Sequence, residues 1–356
     1  TIFVRLDLNA PIIDGKVSDD FRIKKYFPLI SLLREKGAKL IFASHTDSAA
    51  GTLLPVFEYL KATLPIDFVP DYYPNIPASI EESLQSGRIV LLENLRKYDG
   101  EKSNDDSFSK HLASLADIYV NEAFPVSHRK HASVVGIPKY LSGYIGLAFE
   151  EEIARLSAAF NPEHPFVFVL GGAKFNTKMP LLKKFITQAD RLFVGGALAN
   201  DLFKAKGFHV GNSLTSDGDE DFSPFLSDKV SLPTDVRVLC DGKVAIKTPQ
   251  EVIPEDVIVD AGPKSIEALC ALTQGAKFVL WNGPLGNYEL GFKEGTETFA
   301  KCLSESTADT IVGGGDTIAS ISELRLNDKF AFVSAGGGAM LDFLANETLP
   351  GIEALQ

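Results

Sequence analysis

Short apolar runs alternate along this chain with longer segments in which apolar positions recur every three to four residues. In the first half, runs at 2–6, 40–43 and 89–92 are followed by segments of helical spacing at 21–35, 53–62 and 108–116. The second half has runs at 166–170, 191–194, 257–259, 278–281, 310–312 and 330–333, each followed by a helical stretch. Strands alternating with helices form βαβ units and so parallel sheets. The runs are apolar throughout rather than at every second position, as strands covered on both faces require. The pattern predicts an α/β protein of parallel sheets with helices on both faces. Segment 147–160 reads as an amphipathic helix stopped by Asn161-Pro162 and Pro165, a connector suited to hinge motion between two lobes.

The residues that come after each strand differ between the halves. First-half runs lead into polar or basic residues: Asp7 and Asn9, Ser44 and His45, Glu93, Asn94 and Arg96, then Asn121 and Glu122. Second-half runs lead into glycine at 171–172, 195–196, 283, 313–315 and 336–338. Ligands of open parallel sheets bind beyond the carboxyl ends of strands, so two unlike ligand surfaces are expected, one on each lobe and facing one cleft.

A length of 356 residues fits two domains of ordinary size. The net charge of -12 argues against broad binding to nucleic acid or anionic membranes, which rests on many Lys and Arg neutralising phosphates. No run approaches the roughly 18 apolar residues of a membrane span, and no charged start precedes an apolar signal core. Cys240, Cys270 and Cys302 are far apart and form no CxxC, so neither a disulfide framework nor a zinc site is expected, and a reducing cytoplasm fits best. The chain opens at Thr1 inside an apolar run, and further native residues before it are expected.

Glycine after a strand permits a tight turn and lets backbone N–H groups approach an anion, so the repeated glycine turns suggest phosphate. Neither G-x-x-x-x-G-K-[ST] nor G-x-G-x-x-G occurs, which disfavours a P-loop NTPase or a Rossmann dehydrogenase. Lys174 and Lys178, four apart after Gly171-Gly172, are either solvated surface lysines or mobile ammonium groups that neutralise a phosphoryl group in transit. Asp316 after Gly313-Gly314-Gly315 is either a helix cap or a carboxylate for nucleotide-bound Mg²⁺. Arg22, Arg96 and Arg129, with His45, His128 and His131 between them, suggest a small anionic metabolite. His128 and His131 are a poor metal set without further ligands, and no G-x-S-x-G elbow occurs.

These residues resemble phosphoglycerate kinases over essentially the whole chain. The resemblance is carried by VRLDLNAP (4–11), DDFRIK (19–24), LLENLR (91–96), HRKHAS (128–133), GGAKFNTK (171–178), WNGPLGNYE (281–289), VGGGDT (312–317), SAGGGAML (334–341) and LPGIEAL (349–355). It implies a bilobed kinase that transfers a phosphoryl group between 1,3-bisphosphoglycerate and ADP with Mg²⁺, giving 3-phosphoglycerate and ATP in glycolysis or gluconeogenesis. An N-terminal lobe, 1–148 with about 345–356, would bind the phosphoglycerate through Asp7, Asn9, Arg22, His45, Arg96 and Arg129. A hinge helix and C-terminal lobe, 149–344, would bind ATP or ADP through Gly172, Lys178, Gly196, Asn282, Pro284, Glu289, Gly313, Gly314, Gly315, Asp316 and Thr317, with Asp316 on the metal. Arg22 and Lys174, with Gly314 and Gly337, would surround the phosphoryl group in flight. A cytoplasmic monomer acting on small molecules, without nucleic acid or membrane, is expected.

The chain departs from the family pattern in places. Where members commonly read SHLGRP it has Ser44-His45-Thr46-Asp47-Ser48, so Ser48 replaces an arginine and Asp47 adds a carboxylate. Glu122 stands for Asp, Pro125 for Gly and Ala335 for Thr, while Lys130 adds a positive charge. The alternative these changes favour is a catalytically weakened homologue that binds nucleotide or serves as a scaffold.

Overall fold

A computed structural model describes residues 1–173, 175–216 and 221–356. The chain divides into two compact units, Thr1–Ala154 with Asn346–Gln356, and Arg155–Ala345.

The first unit contains strands β1 (Ile2–Arg5), the hairpin β2 (Ile12–Ile13) and β3 (Lys16–Val17), then β4 (Leu40–Ala43), β5 (Ile66–Val69), β6 (Ile89–Leu92), β7 (Ile118–Asn121) and β8 (Ser142–Ile145). Six form one parallel sheet in the order β5-β6-β4-β1-β7-β8. Alternate residues of one strand fall into two separate cores. Val4, Phe42 and Leu91 pack with Leu29, Ile30 and Leu60, whereas Phe3, Ile41 and Val90 pack with Ile80, Leu84 and Leu112. Helices Phe27–Glu35 and Leu54–Lys61 thus cover one face, and Ala78–Gln85 and Asp106–Ala113 the other. Burial on both faces is why the strand runs carry no polar alternation. The single helix expected at 21–35 is two, Phe21–Lys24 and Phe27–Glu35, the second opening with Pro28 in its first turn, where a missing N–H costs nothing.

The second unit contains β9 (Phe166–Leu170), β10 (Arg191–Val194), β11 (Val230–Ser231), β12 (Val236–Cys240), β13 (Lys243–Lys247), β14 (Val257–Ala261), β15 (Phe278–Asn282), β16 (Asp309–Gly313) and β17 (Phe332–Ser334). Its parallel sheet runs β11-β10-β9-β15-β16-β17, and every residue of β9 and β15 is buried. The run at 257–259 is a correction to the sequence expectation: β14 pairs antiparallel with β12 in a separate three-stranded sheet, β13-β12-β14. Cysteine is a second correction. Cys270 and Cys302, 32 residues apart, pair as a disulfide with Cα atoms 6.1 Å apart, because helices Pro263–Gln274 and Glu294–Leu303 lie side by side.

The segment 147–160 forms helix Leu147–Ser157 and a 3₁₀ turn, Ala158–Phe160, and the division between units falls inside it. Its first turn is capped by Glu122, whose carboxylate accepts from the N–H groups of Ala148 at 3.0 Å and Phe149 at 3.1 Å. The last residues return to the first unit: the N–H of Gly351 donates to the carbonyl of Ser127 at 2.8 Å, and Leu355 packs into the core beside Tyr119.

Candidate functional site

In an open parallel sheet the ligand crevice forms where neighbouring strands send their connections to opposite sides. In the first unit that point lies between β1 and β7. Asp7 and Asn9 leave the end of β1, His45 follows β4, Arg96 follows β6, and Arg129 lies beyond β7. Arg22 arrives from helix Phe21–Lys24, its Nη1 donating to Asp7 Oδ2 at 3.2 Å. His45 is buried with Nδ1 3.8 Å from Asp7 Oδ1. Asn9 Oδ1 accepts from the N–H of Asp47 at 3.0 Å, and Asn94 Oδ1 accepts from the N–H groups of Thr46 at 3.2 Å and Arg96 at 3.0 Å. The structure thus brings together Asp7, Asn9, Arg22, His45 and Arg96, with Arg129 close enough to act on the same groups.

The bases here are displaced in one direction. Burial drives the His45 imidazole far below its usual range, with Arg5, Arg96 and Arg129 acting in the same sense, so the ring is neutral. His131 falls to about 4 through burial and the same arginines. The Arg129 guanidinium is lowered by burial and by Arg96. Burial is the largest cause of each shift; the arginines add a smaller contribution of the same sign, which an anion bound among them would relieve. Arg96 marks the focus of that charge: its side chain is 7% exposed, Nη1 pairs with Asp47, and Nε and Nη2 are buried without partners.

Sequence reasoning missed the support behind this group. Arg5 is fully buried, donating from Nε to Ser133 Oγ at 2.9 Å and lying 3.2 Å from His45 Nδ1. Glu101, also fully buried, accepts from the Ser133 hydroxyl at 2.6 Å and its N–H at 2.9 Å. A lone charge inside the apolar run 2–6 was the available signal for Arg5; nothing local marked Glu101.

In the second unit the sheet order reverses between β9 and β15. At positions 171, 172, 196 and 283 the glycine turns do not offer the open N–H groups expected. The N–H groups of Gly171, Gly172, Gly196 and Gly283 donate to the carbonyls of Asn282, Pro284, Leu285 and Gly313 at 2.8 to 3.3 Å. These glycines let strand-end turns stack backbone on backbone. At Gly283, φ is +94°, and a Cβ would lie 2.5 Å from the Gly171 carbonyl oxygen.

Beside these turns is a cavity of about 210 Å³. Of the nucleotide residues expected from sequence, Gly172, Gly196, Pro284, Glu289 and Asp316 line it. Phe203, Leu214, Val236 and Val257 supply an apolar wall that no motif announced. Asn200 also lines it, with a buried Oδ1 that lacks a partner. Lys178 is not a mobile surface lysine: it is 7% exposed and donates to the Gly171 carbonyl. Burial lowers its pKa to about 8 against the opposing pull of Asp316. Asn282 is buried with Nδ2 3.6 Å from Met340 Sδ. Gly314, at φ +102°, caps helix Gly315–Glu323, which carries Asp316 and the buried Thr317 in its first turn after Gly313. Gly337 follows β17 and precedes helix Gly338–Asn346. Lys174 lies outside the described residues. Among the described residues, no three His, Cys, Asp or Glu side chains gather as metal ligands.

A family model described as phosphoglycerate kinase matches residues 1–347. The chain belongs to the phosphoglycerate kinase family. It is similar to the phosphoglycerate kinases of Caulobacter vibrioides and Syntrophobacter fumaroxidans, at 38% and 39% identity, over 99% and 100% of this chain and 96% and 95% of theirs. Two solved structures share its fold. Phosphoglycerate kinase from Coxiella burnetii gives a TM-score of 0.81 at 33% identity, over 99% of this chain and 95% of that one. The enzyme from Pyrococcus horikoshii gives 0.86 at 28% identity, over 100% and 95%. The two six-stranded parallel sheets are those of the phosphoglycerate kinase fold. As a member of this family the chain is a phosphotransferase with a carboxyl acceptor, and ATP or ADP is the nucleotide the family implies.

Proposed function

We propose that the protein catalyses the reversible, Mg²⁺-dependent transfer of a phosphoryl group between 1,3-bisphosphoglycerate and ADP, giving 3-phosphoglycerate and ATP as a cytoplasmic step of glycolysis or gluconeogenesis. The first unit, with the C-terminal segment, takes the phosphoglycerate, and the second takes the nucleotide. The observation that supports this reading is the Arg96 guanidinium, buried with Nε and Nη2 unpartnered beside His45 and His131, whose pKa values are lowered by burial first and by the surrounding arginines second. A buried donor without a partner costs about 1 to 3 kcal/mol, more when charged, and an anionic ligand supplies the missing acceptors.

Phosphoryl transfer demands little covalent chemistry from the protein and much placed positive charge. In the direction of acyl phosphate synthesis, a carboxylate oxygen of 3-phosphoglycerate attacks the γ-phosphorus of ATP as the bond to the β-phosphate bridging oxygen breaks. Arg22, oriented by Asp7, and Lys174, assigned by the resemblance alone, neutralise the transferring group. Gly314 and Gly337, each immediately before a helix, are assigned to the same group by the resemblance alone. Lys178, anchored on the Gly171 carbonyl, holds charge near the nucleotide phosphates. The exposed carboxylate of Asp316 lies on the cavity wall at a helix start and suits a hard cation, which takes one or two carboxylates together with substrate phosphates. Mg²⁺ held there would offset phosphate charge.

A coupled assay of ADP phosphorylation from 1,3-bisphosphoglycerate tests the reading, and absence of turnover with intact nucleotide binding would overturn it. That outcome would favour the alternative, a weakened nucleotide-binding or scaffold homologue, which the Asp47 carboxylate paired with Arg96 supports.

A further inference from the structure

Three arginines at or behind the first-unit crevice, Arg5, Arg22 and Arg96, have their charges compensated unequally. Asp7 takes Arg22 at 3.2 Å. Glu101 lies behind Arg5 through the shared Ser133. Arg96 is compensated by Asp47, which belongs to the loop after β4 and sits where the other acidic partners do not: on the solvent side, with its side chain 56% exposed against 7% for Arg96.

The placement of Asp47 is built. Its N–H donates to Asn9 Oδ1 at 3.0 Å, and its Oδ2 accepts from Asn9 Nδ2 at 3.5 Å. Oδ2 also lies 3.9 Å from His45 Nε2. The preceding Thr46 is clamped to Asn94, whose side chain accepts the Thr46 N–H at 3.2 Å and donates to its carbonyl at 3.1 Å. Asn94 also accepts the Arg96 N–H at 3.0 Å, so the two charges rest on one support. The Asp47 carboxylate therefore touches or approaches Asn9, His45 and Arg96, three of the residues proposed to hold the anionic substrate. Beside it, Ser48 Oγ is buried without a partner.

We propose that Asp47 is a specificity-determining residue that acts as an internal anion, occupying one face of Arg96 and competing with the anionic group of 3-phosphoglycerate. The substrate must displace this carboxylate or bind beside it through Nε and Nη2 alone. Acceptor affinity is thereby set low without any change in the nucleotide cavity. The proposal rests on the assignment of the crevice to phosphoglycerate, and its test separates the two.

Titration calorimetry with 3-phosphoglycerate on the wild type, Asp47→Asn, Arg96→Ala and the double variant decides it. Asp47→Asn keeps the shape of the loop side chain and removes its charge; it is expected to tighten binding about tenfold or more and to lower KM with a much smaller change in kcat. Arg96→Ala is expected to weaken binding at least tenfold, and in that background Asp47→Asn should have little effect, since the group competed for is gone. Dissociation constants for ADP should stay within twofold throughout. If Asp47→Asn leaves binding unchanged or weakens it while Arg96→Ala weakens it, the competing role is wrong and the crevice assignment stands. Equal tightening by Asp47→Asn with and without Arg96 would also overturn the role, because it would show a general charge effect. If Arg96→Ala has no effect, the crevice does not hold the substrate, and both readings fall.

Discussion

Replacing Glu122 by Gln should change how stability depends on pH. The Glu122 carboxyl is 1% exposed and accepts two N–H bonds from the start of helix Leu147–Ser157. Burial nevertheless dominates, raising its pKa from 4.5 to about 7, with the two backbone hydrogen bonds opposing. Below pH 4.5 the group is protonated in folded and unfolded chains alike, and its contribution to stability is fully present. Between pH 4.5 and about 7 the unfolded chain gives up the proton and the folded chain keeps it, so stability falls as pH rises. Above pH 7 both are ionised and the loss is complete. The shift from 4.5 to about 7 corresponds to roughly 3 kcal/mol, at about 1.4 kcal/mol per unit. Glutamine keeps one acceptor for the helix start and never ionises. Urea denaturation followed by far-ultraviolet circular dichroism, from pH 4.5 to 8, should therefore show Glu122→Gln gaining on the wild type by about 3 kcal/mol, with the gain levelling off above pH 7. Parallel stability curves for the two proteins would refute the reasoning, showing that Glu122 titrates alike folded and unfolded.

Arg22→Ala should lower kcat by two or more orders of magnitude while leaving the ADP dissociation constant nearly unchanged, because Arg22 sits with Asp7 in the first unit; steady-state kinetics and calorimetry read the two effects, and a near-normal kcat would remove its assigned role. Affinity for ADP should fall as pH rises through about 8, where Lys178 loses its proton; this step in a calorimetric pH series should vanish in Lys178→Met. Gly283→Ala should destabilise the second unit by more than about 1 kcal/mol and weaken ADP binding, since φ is +94° and the added Cβ would meet both the Gly171 carbonyl and Lys178 Nζ at 2.5 Å; thermal melting and ADP titration check it.

The strands legible in the sequence are those whose two faces are both covered. Residues 40–43 and 89–92 divide between two cores, and that burial is what an unbroken apolar run records. β8 at the sheet edge is mostly exposed, so Ser142–Ile145 carries no such run. The run at 257–259 was apolar enough to read as another parallel strand, and only pairing with distant β12 reveals it as antiparallel. Charged site residues such as Arg22, His45 and Arg96 stood out because they followed strands or broke apolar stretches. The apolar wall of the second-unit cavity did not: Phe203, Leu214 and Val236 come from separate segments and look like any core residue until the chain is folded. The stacked N–H groups of the glycine turns were also hidden, since sequence shows which residue permits a turn and not which carbonyl the turn meets.

The return of residues 346–356 to the first unit bears on the order in which the protein can be assembled. On the ribosome, residues 1–154 emerge first, yet the segment whose Gly351 meets Ser127 and whose Leu355 lies beside Tyr119 is made only after the whole of 155–345. The second unit has all of its strands while the first still lacks a piece of its surface. During that interval the nascent first unit presents an uncovered patch around Ser127, Tyr119 and Gly143, the last a residue of its edge strand β8, to whatever else is in reach.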